Sequence, residues 1–505
     1  MSPVPLKLRR RTPFFIFLCL YLLFSFGTYR DYGITWDEKD SYQGGAELFQ
    51  YLVHGVKPAY LDPEHGYPYT CLLSFFASPN QYEFLHLLNL LSAVVLFWAL
   101  FEVLLAQYEK PWLALAGPVF LFLSPSFLGS IPANPKDVPF AFFYFLSLAA
   151  IYLFEQKLPA FKARWAVLGV LFAFAISSRI VGFTLFPILI LFDIFLFWDR
   201  STKKKKNETK NWLWKKSKEW FGVLVTAQIL SVVLWPYLGE HYFQHLINVF
   251  WLSAHFPPKF DFLFMGGMSD SLSYPWYYLP VWIGISTPFF VLALFLYSFF
   301  CFQKLKTNKL FILLELALLL NLALYFVLHP AIYDGLRHYL FLLPIFSTLA
   351  SLAFADAFQK GFSTPLKKAV GILVLLGAGM TLSQMIQLHP YEYVYFNESV
   401  GGFPGAYGQF ETDYWAASMK EAVEWVKTNE LKDSTKTYRI YLEGNPPQAP
   451  IYFSANMVNE PIMQNADYAI VMTRAGIKPA AEDESKIIHR VEREGAPLSF
   501  VLKMR

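Results

Sequence analysis

The sequence predicts a polytopic α-helical membrane protein that ends in a small α/β domain. Of its 505 residues, 55% are hydrophobic and only 16% are charged, whereas soluble domains carry about 25% charged residues. Apolar runs of roughly 20 residues recur along the chain, and a helix of that length crosses about 30 Å of hydrocarbon. The long apolar runs stop near residue 389. The sequence therefore divides into a membrane domain, 1–388, and a C-terminal domain, 389–505.

About eleven segments are long and apolar enough to cross a membrane. The first follows Arg9, Arg10 and Arg11, but no small-residue cleavage site comes after it, so it predicts an uncleaved helix and not a signal peptide. The predicted spans are 12–29, 84–106, 112–130, 138–155, 164–178, 181–198, 219–237, 278–302, 309–328, 339–358 and 368–388.

The basic residues predict the orientation of these spans. With the N-terminus in the cytosol, the segments assigned inside hold 23 Lys and Arg residues, including the run Lys203–Lys206, and the outer segments up to Arg337 hold 7. This is the asymmetry of the positive-inside rule. Eleven spans then place the C-terminal domain outside the cytosol. Two long outer loops, 30–83 and 238–277, are predicted to hold short helices in the interface plane.

The C-terminal domain is predicted to combine one helix with several short strands. Asp413–Asn429 predicts the helix, with Asp413 as its N-cap. The strand predictions rest on segments rich in β-branched and aromatic residues, namely Thr437–Leu442, Ala466–Met472, Ile487–Val491 and Leu498–Leu502.

Charged residues at the outer ends of the spans need a reason, because they lie close to hydrocarbon. Trp36-Asp37-Glu38 follows the first span and places two adjacent carboxylates just outside the membrane. An attacking hydroxyl must lose its proton, and Asp37 or Glu38 would suit that catalytic step. The alternative is structural, with Asp37 capping a loop helix and Glu38 favouring its N-terminus.

Two further motifs place cations at the outer surface. Lys136 and Asp137 lie at the outer end of the third span, where Lys136 suits a phosphate and Asp137 could order Lys136 or hold a metal; the alternative is a turn that caps the fourth span. Arg337 and His338 precede the tenth span, and a guanidinium pairs with phosphate oxygens in bidentate fashion. The alternative for Arg337 is a side chain that extends to the interface.

The segment that leaves the last span, His389–Asn397, is rich in aromatic residues. Its polar members Tyr391, Glu392 and Asn397 are candidates for substrate binding. The alternative is an aromatic belt at the membrane interface.

The sequence provides no clear metal site and no nucleic-acid site. His241 and His245 are four residues apart, but no convincing third ligand accompanies them, and no Cys/His zinc spacing is present. The basic residues are split among separate short loops, which does not favour nucleic-acid binding.

Taken together, these motifs resemble those of the GT-C glycosyltransferases, and most of all the protein O-mannosyltransferase and aminoarabinose-transferase-like families. The resemblance covers most of residues 12–415. It rests on Trp36-Asp37-Glu38, Pro135-Lys136-Asp137-Val138-Pro139-Phe140, Gly335-Leu336-Arg337-His338-Tyr339-Leu340-Phe341-Leu342-Leu343-Pro344, and His389-Pro390-Tyr391 with Tyr395-Phe396-Asn397.

The resemblance implies a polyprenyl- or dolichyl-phosphate sugar donor and inversion at the anomeric carbon. Asp37 would be the base and Glu38 its neighbour in acceptor or substrate positioning, while Lys136 and Arg337 would bind the donor phosphate. His338, as the neighbour of Arg337, is a further candidate for that phosphate from its residue type alone. Mannosyl-transferring relatives generally work without a metal. Others hold a divalent cation, through ligands that do not match this sequence, so a divalent cation stays open as a cofactor. The resemblance also implies a bacterial inner membrane.

Two other functional classes remain open at this stage. A transporter or flippase of polyprenyl-linked glycans would place its ionisable residues near mid-membrane, where only Arg179 and Asp193 are candidates. An O-antigen ligase would favour a long outer loop rich in Arg, and residues 238–277 contain none. The acceptor, whether lipid, glycan or protein, is not set by the sequence.

Overall fold

The computed structural model describes residues 10–505 except 159, 201–205, 255–258, 301–304, 360, 362–363, 445, 447 and 477–480. Lys7, Arg9 and the run Lys203–Lys205, which contribute to the predicted charge asymmetry, lie outside the described residues. Helices dominate the chain up to Asn429, and the main sheet follows it.

Apolar helices form the membrane domain. Two of them are buried over only 17% of their most apolar stretch, and side chains such as Leu375 are 73% exposed. Apolar surface on this scale needs lipid, so the chain is an integral polytopic membrane protein, as predicted. Within the described residues, seven helices are long and apolar enough to cross a membrane: Tyr82–Tyr108, Asp137–Gln156, Ile180–Asp199, Thr209–Leu234, Lys309–Leu328, Arg337–Phe358 and Lys367–Leu388.

The other predicted spans coincide with apolar helices that are short or bent. Thr12–Thr28, Pro111–Phe122 and Arg164–Ser178 are shorter than 18 residues. The predicted span 278–302 is two helices, Tyr278–Ser286 and Phe289–Phe300, that meet at 120°. If this bent pair counts as one span, eight segments of the described chain are long enough to cross a membrane. The predicted number of eleven spans remains a prediction.

Both long loops that are predicted to lie outside the cytosol contain short helices, as expected. The first loop holds Glu38–His54 and Pro68–Leu73. The second holds Pro236–Glu240, Tyr242–Ala254 and a hairpin of β1 (Asp261–Phe264) and β2 (Gly267–Asp270). Phe243 and Ile247 on Tyr242–Ala254 are 79% and 70% exposed, which fits a helix whose apolar face meets the lipid interface.

A five-stranded sheet forms the C-terminal region. Its spatial order is β4-β3-β5-β7-β6, with the β3 pairs parallel and the β7 pairs antiparallel. The strands are β3 (Tyr438–Leu442), β4 (Met457–Asn459), β5 (Tyr468–Met472), β6 (Ile487–Arg493) and β7 (Ala496–Lys503). The four predicted strands are therefore present, and the short edge strand β4 is additional.

The predicted C-terminal helix begins six residues later than expected, at Met419. Ala416 has a left-handed backbone, φ +57°, and a helix cannot run through that conformation. Asp413 instead accepts hydrogen bonds from the backbone N–H groups of Ala417 and Ser418, at 3.0 and 3.2 Å. The helix Met419–Asn429 packs its buried face against the sheet.

Candidate active site

Asp37 lies between two cations that come from distant parts of the chain. Its Oδ1 is 3.3 Å from Lys136 Nζ, and its Oδ2 is 3.0 Å from Arg337 Nη1. The loop that carries Asp37 is fixed to the loop before Lys136, because Thr35 Oγ1 donates to the Ala133 carbonyl at 2.7 Å. The structure thus brings together three residues that the sequence predicted for one pocket.

These cations keep the Asp37 carboxyl ionised. Burial alone would favour the protonated form, but the charges of Lys136, Arg337 and Arg179 outweigh it and hold the pKa of Asp37 well below its ordinary value. The side chain is still 20% exposed. Asp37 is therefore an accessible carboxylate at neutral pH.

Asp137 organises the second cationic motif. It is the first residue of the helix Asp137–Gln156. The Asn134 side chain makes two hydrogen bonds to Asp137. Its Oδ1 accepts from the Asp137 N–H at 2.8 Å, and its Nδ2 donates to Asp137 Oδ2 at 3.2 Å. The Asp137 carboxylate also pairs with Arg179, at the break between two apolar helices, and lies 3.9 Å from Arg337 Nε. Asp137 thus orders Arg179 and Arg337, and not Lys136 as the sequence suggested.

Arg337 follows a tight turn. Asp334 and Gly335 both have left-handed backbones, with φ of +55° and +69°, a conformation that Gly and Asp tolerate better than other residues. Asp334 Oδ2 lies 3.0 Å from Arg337 Nη1. Burial raises the pKa of Asp334, against the charges of Arg474 and Arg337. The Nε of Arg337 is buried and has no hydrogen-bond partner among the described residues.

A cavity of about 140 Å³ adjoins this centre. Its polar lining comes from Arg179, His338, Tyr333 and Glu64. Burial, and then the charge of Asp62, raises the pKa of Glu64. The apolar lining includes Val249, Leu252, Ile332 and Phe341. The cavity is therefore amphipathic, since its lining combines the Arg179 guanidinium and other polar groups with apolar side chains.

Glu38 is bonded away from this centre. Its Oε1 accepts from the Thr35 N–H at 2.7 Å, and its Oε2 lies 2.7 Å from His86 Nε2. Glu38 is the first residue of the helix Glu38–His54, and its side chain is fully buried. Asp37 occupies the N-cap position but makes no side-chain capping hydrogen bond. The contacts of Glu38 at the helix start agree with the structural alternative for that residue, whereas the capping bond of Asp37 in the same alternative is not formed.

The three candidates after the last span also bond elsewhere. The Tyr391 hydroxyl donates to Glu421 Oε2 at 2.9 Å. Glu392 Oε1 lies 2.6 Å from His389 Nδ1. Asn397 donates to two carbonyl groups at the bend between Tyr278–Ser286 and Phe289–Phe300. Their described contacts are structural, and substrate binding by them stays a prediction.

Sequence reasoning missed three residues of the centre. Asp334 directly precedes the Arg337 motif, and its position before a glycine was the available signal. Arg179 was considered only for transport. Arg474 approaches Asp334 from the C-terminal region, with its Nη2 at 3.3 Å from Asp334 Oδ1. No local pattern in the sequence links Arg474 to the membrane domain.

The described residues contain no group of three or more His, Cys, Asp or Glu side chains placed to hold a metal ion. In the site, the positive charge next to the carboxylates comes from Lys136, Arg179, Arg337 and Arg474.

Comparison with solved structures shows that this chain shares the fold of ArnT, which agrees with the fold expected from the motif resemblance. The apo crystal structure of ArnT from Cupriavidus metallidurans matches with a TM-score of 0.52 and 11% identity, over 98% of this chain and 99% of that chain. ArnT bound to undecaprenyl phosphate gives a TM-score of 0.50 at 10% identity, over 98% of both chains. At these identities the shared property is the fold.

An oligosaccharyltransferase from Archaeoglobus fulgidus, crystallised with Zn and sulfate, also matches. Its TM-score is 0.45 at 13% identity, over 88% of this chain. The chain spans 64% of the length of that oligosaccharyltransferase, slightly less than two thirds. No family model and no curated protein matches the sequence.

Proposed function

We propose that this protein transfers a sugar from a polyprenyl-phosphate donor to an acceptor hydroxyl on the extracytoplasmic face of the membrane, with inversion of the anomeric carbon. The observation that carries the proposal is the Asp37 carboxylate held between Lys136 and Arg337, whose neighbours Arg179 and His338 line an amphipathic cavity. A base, a set of phosphate-binding cations and room for a lipid-linked head group are thereby adjacent.

The cations supply the donor side of the reaction. Cleavage of the bond between the anomeric carbon and the phosphate oxygen leaves negative charge on the phosphate. Arg337 and Lys136 would stabilise that charge, with Arg179 at the cavity wall. The Nε of Arg337, which makes no hydrogen bond within the described residues, is a further donor for a phosphate oxygen. His338 lines the same cavity and contributes to the donor pocket.

Asp37 supplies the acceptor side. Because a donor phosphate competes for Lys136 and Arg337, its arrival weakens their hold on Asp37 and makes the carboxylate a stronger base. Asp37 then takes the proton of the acceptor hydroxyl while the acceptor oxygen attacks the anomeric carbon. Attack on the face opposite the phosphate inverts that carbon, as with a single base in inverting glycosidases.

The partners follow from this chemistry. The donor's prenyl tail would lie among the apolar helices and its phosphate at their outer ends. The acceptor is a hydroxyl of a lipid, a glycan or a protein. The proposed location is a bacterial inner membrane, with the N-terminus in the cytosol and the C-terminal region on the donor side, as the charge asymmetry predicts.

The test is mass spectrometry of glycoconjugates from a deletion strain that carries the wild-type protein, Asp37→Asn, or the matched control Asp40→Asn. Asp40 is exposed and lies in the first turn of the helix Glu38–His54, three residues after Asp37. Base catalysis contributes about 10²–10⁴-fold, so Asp37→Asn should lose the modification while it still accumulates in the membrane. Asp40→Asn should retain it.

A strain with normal glycosylation in the Asp37→Asn variant would overturn the role of Asp37 as base. An unchanged glycoconjugate profile in the deletion strain itself would overturn the proposed function. Arg337→Ala, assayed with purified protein, should weaken donor use more than acceptor use, and an equal effect on both would reject its phosphate role.

A further inference from the structure

The C-terminal region places a cation next to the candidate active site. Arg474 lies in a short turn, Arg474–Gly476, just after strand β5. Its Nη2 is 3.3 Å from Asp334 Oδ1, while the other oxygen of Asp334 is 3.0 Å from Arg337 Nη1. The buried Asp334 carboxylate is therefore shared between Arg474 and Arg337.

Arg337 in turn lies 3.0 Å from Asp37. The result is a line of alternating charges that runs from the C-terminal region to the candidate base: Arg474, Asp334, Arg337 and Asp37. Removal of Arg474 from this line leaves the buried Asp334 carboxylate with Arg337 as its one cationic partner among the described residues, so its charge is less well compensated. The position of Arg337 therefore depends on Asp334, and that of Asp334 on Arg474.

The same region also holds the segment that leads into Asp37. The Ile34 N–H donates to the Tyr452 hydroxyl at 2.6 Å, and a Cβ on Gly33 would collide with the Ala417 carbonyl oxygen. The guanidinium of Arg474 lies 5.6 Å from the centre of the Trp36 ring, within range of a cation–π contact. The C-terminal region thus contacts both sides of the pair formed by Asp37 and Arg337.

We propose that Arg474 is a positioning residue for sugar transfer, which holds Arg337 toward the donor phosphate through Asp334. The inference rests on the proposed function and adds the C-terminal region to the donor site. In the transfer step, the acceptor proton goes to Asp37, the new bond forms between acceptor oxygen and anomeric carbon, and the released polyprenyl phosphate keeps the electron pair. Arg474 touches none of these atoms and acts only through Asp334.

The test measures binding of undecaprenyl phosphate to the purified full-length protein by native mass spectrometry, together with donor kinetics. Arg474→Ala should weaken binding and lower kcat/KM for the donor by about 10–100-fold, by analogy with the loss seen when the outer hydrogen-bond partners of metal ligands are removed. The KM for the acceptor should stay unchanged. Arg474→Lys keeps the charge and should restore most of the loss. Arg439→Ala, an exposed Arg on β3, is the matched control.

A double variant tests whether Arg474 acts through Asp334. If Arg474 acts only through Asp334, the double variant Arg474→Ala, Asp334→Asn should bind undecaprenyl phosphate no more weakly than Asp334→Asn alone. Additive losses would contradict this coupling. An unfolding midpoint of Arg474→Ala within a few degrees of wild type would show that weaker binding reflects a positioning defect and not misfolding. If the alanine variant does not fold, Arg474→Lys is used in its place.

The outcomes also separate this inference from the proposed function. If Arg337→Ala does not weaken binding of undecaprenyl phosphate, the phosphate role of the site fails. If Arg337→Ala weakens binding but Arg474→Ala does not, the site stands and the positioning role of Arg474 is overturned.

Discussion

Asp37 and Glu38 are adjacent in the chain but lie in different environments. Asp37 is partly exposed and paired with cations that a phosphate would also attract. Glu38 is fully buried and bonded to Thr35 and His86. A shift of one position along the start of a helix turns a side chain by about 100°, so neighbouring carboxylates here face different partners.

Glu38→Gln should therefore affect stability more than catalysis. The substitution removes the charge beside His86 and replaces one acceptor oxygen by a donor group, which should destabilise the fold by about 1–3 kcal/mol. The measurements are the thermal unfolding midpoint in detergent and transfer activity per folded protein. A Glu38→Gln variant as stable as wild type but as inactive as Asp37→Asn would instead make Glu38 part of the chemistry.

At the scale of single residues, the sequence predicted those charged residues that stand next to long apolar segments. Asp37, Lys136 and Arg337 were recognisable because each stands at the outer end of an apolar run. The sequence could not separate Asp37 from Glu38, because that choice depends on His86 in a later helix. Arg474 could not be predicted at all, since its role arises from a contact between regions 140 residues apart.

The bend between helices Tyr278–Ser286 and Phe289–Phe300 shows why one apolar segment forms two helices and not a single straight one. Pro288 lacks an N–H group, and Thr287 before it is extended, with φ −98° and ψ 132°. The carbonyl groups at the end of the first helix therefore lose their usual partners. Asn397 replaces them: its Nδ2 donates to Gly284 and Thr287, at 2.6 and 2.8 Å, and its N–H donates to Ile285 at 2.8 Å.

Asn397→Ala should consequently destabilise the membrane domain. The variant leaves two buried carbonyl groups without their side-chain donor, at a cost of about 1–3 kcal/mol. The unfolding midpoint in detergent should fall, while the matched control Asn429→Ala, at an exposed helix end, should be close to wild type. A stable Asn397→Ala variant with weakened donor or acceptor binding would support the substrate role predicted from the sequence instead.

Hydropathy predicted where the apolar helices lie in the sequence but not where they are broken or bent. The Thr287-Pro288 pair stands inside an apolar run, and its effect depends on whether another segment can satisfy the freed carbonyls. Likewise, the predicted span 112–130 is split into Pro111–Ala114, Ala116–Phe122 and Pro125–Leu128, with prolines opening two of the three pieces. Length and composition alone do not resolve these breaks.

For the molecule as a whole, the charge asymmetry predicts that the C-terminal region and the candidate site share the non-cytosolic side. In a background with the three cysteines replaced by serine, Lys432→Cys on the C-terminal region should react with a membrane-impermeant maleimide in intact cells. Lys215→Cys, in a segment predicted to be cytosolic, should react only after permeabilisation. Both side chains are exposed. The reverse pattern would contradict the predicted orientation.

That the chain is a membrane protein was predictable, because the length and frequency of apolar segments can be read from the sequence without knowledge of tertiary contacts. The C-terminal sheet was predictable because β-branched segments follow one another at short intervals. The docking of that sheet on the membrane domain was not, since it depends on single close contacts such as Gly33 against Ala417 and Ile34 against Tyr452.

The position of Arg474 near the end of the chain has a consequence for biogenesis. Asp37 emerges from the ribosome early, and the membrane helices insert long before strand β5 is synthesised. The charge line that ends at Asp37 is therefore completed only after the segment with Arg474 has been synthesised and has folded against the membrane domain. A prematurely terminated chain would carry every membrane helix and still leave Asp334 without its outer partner.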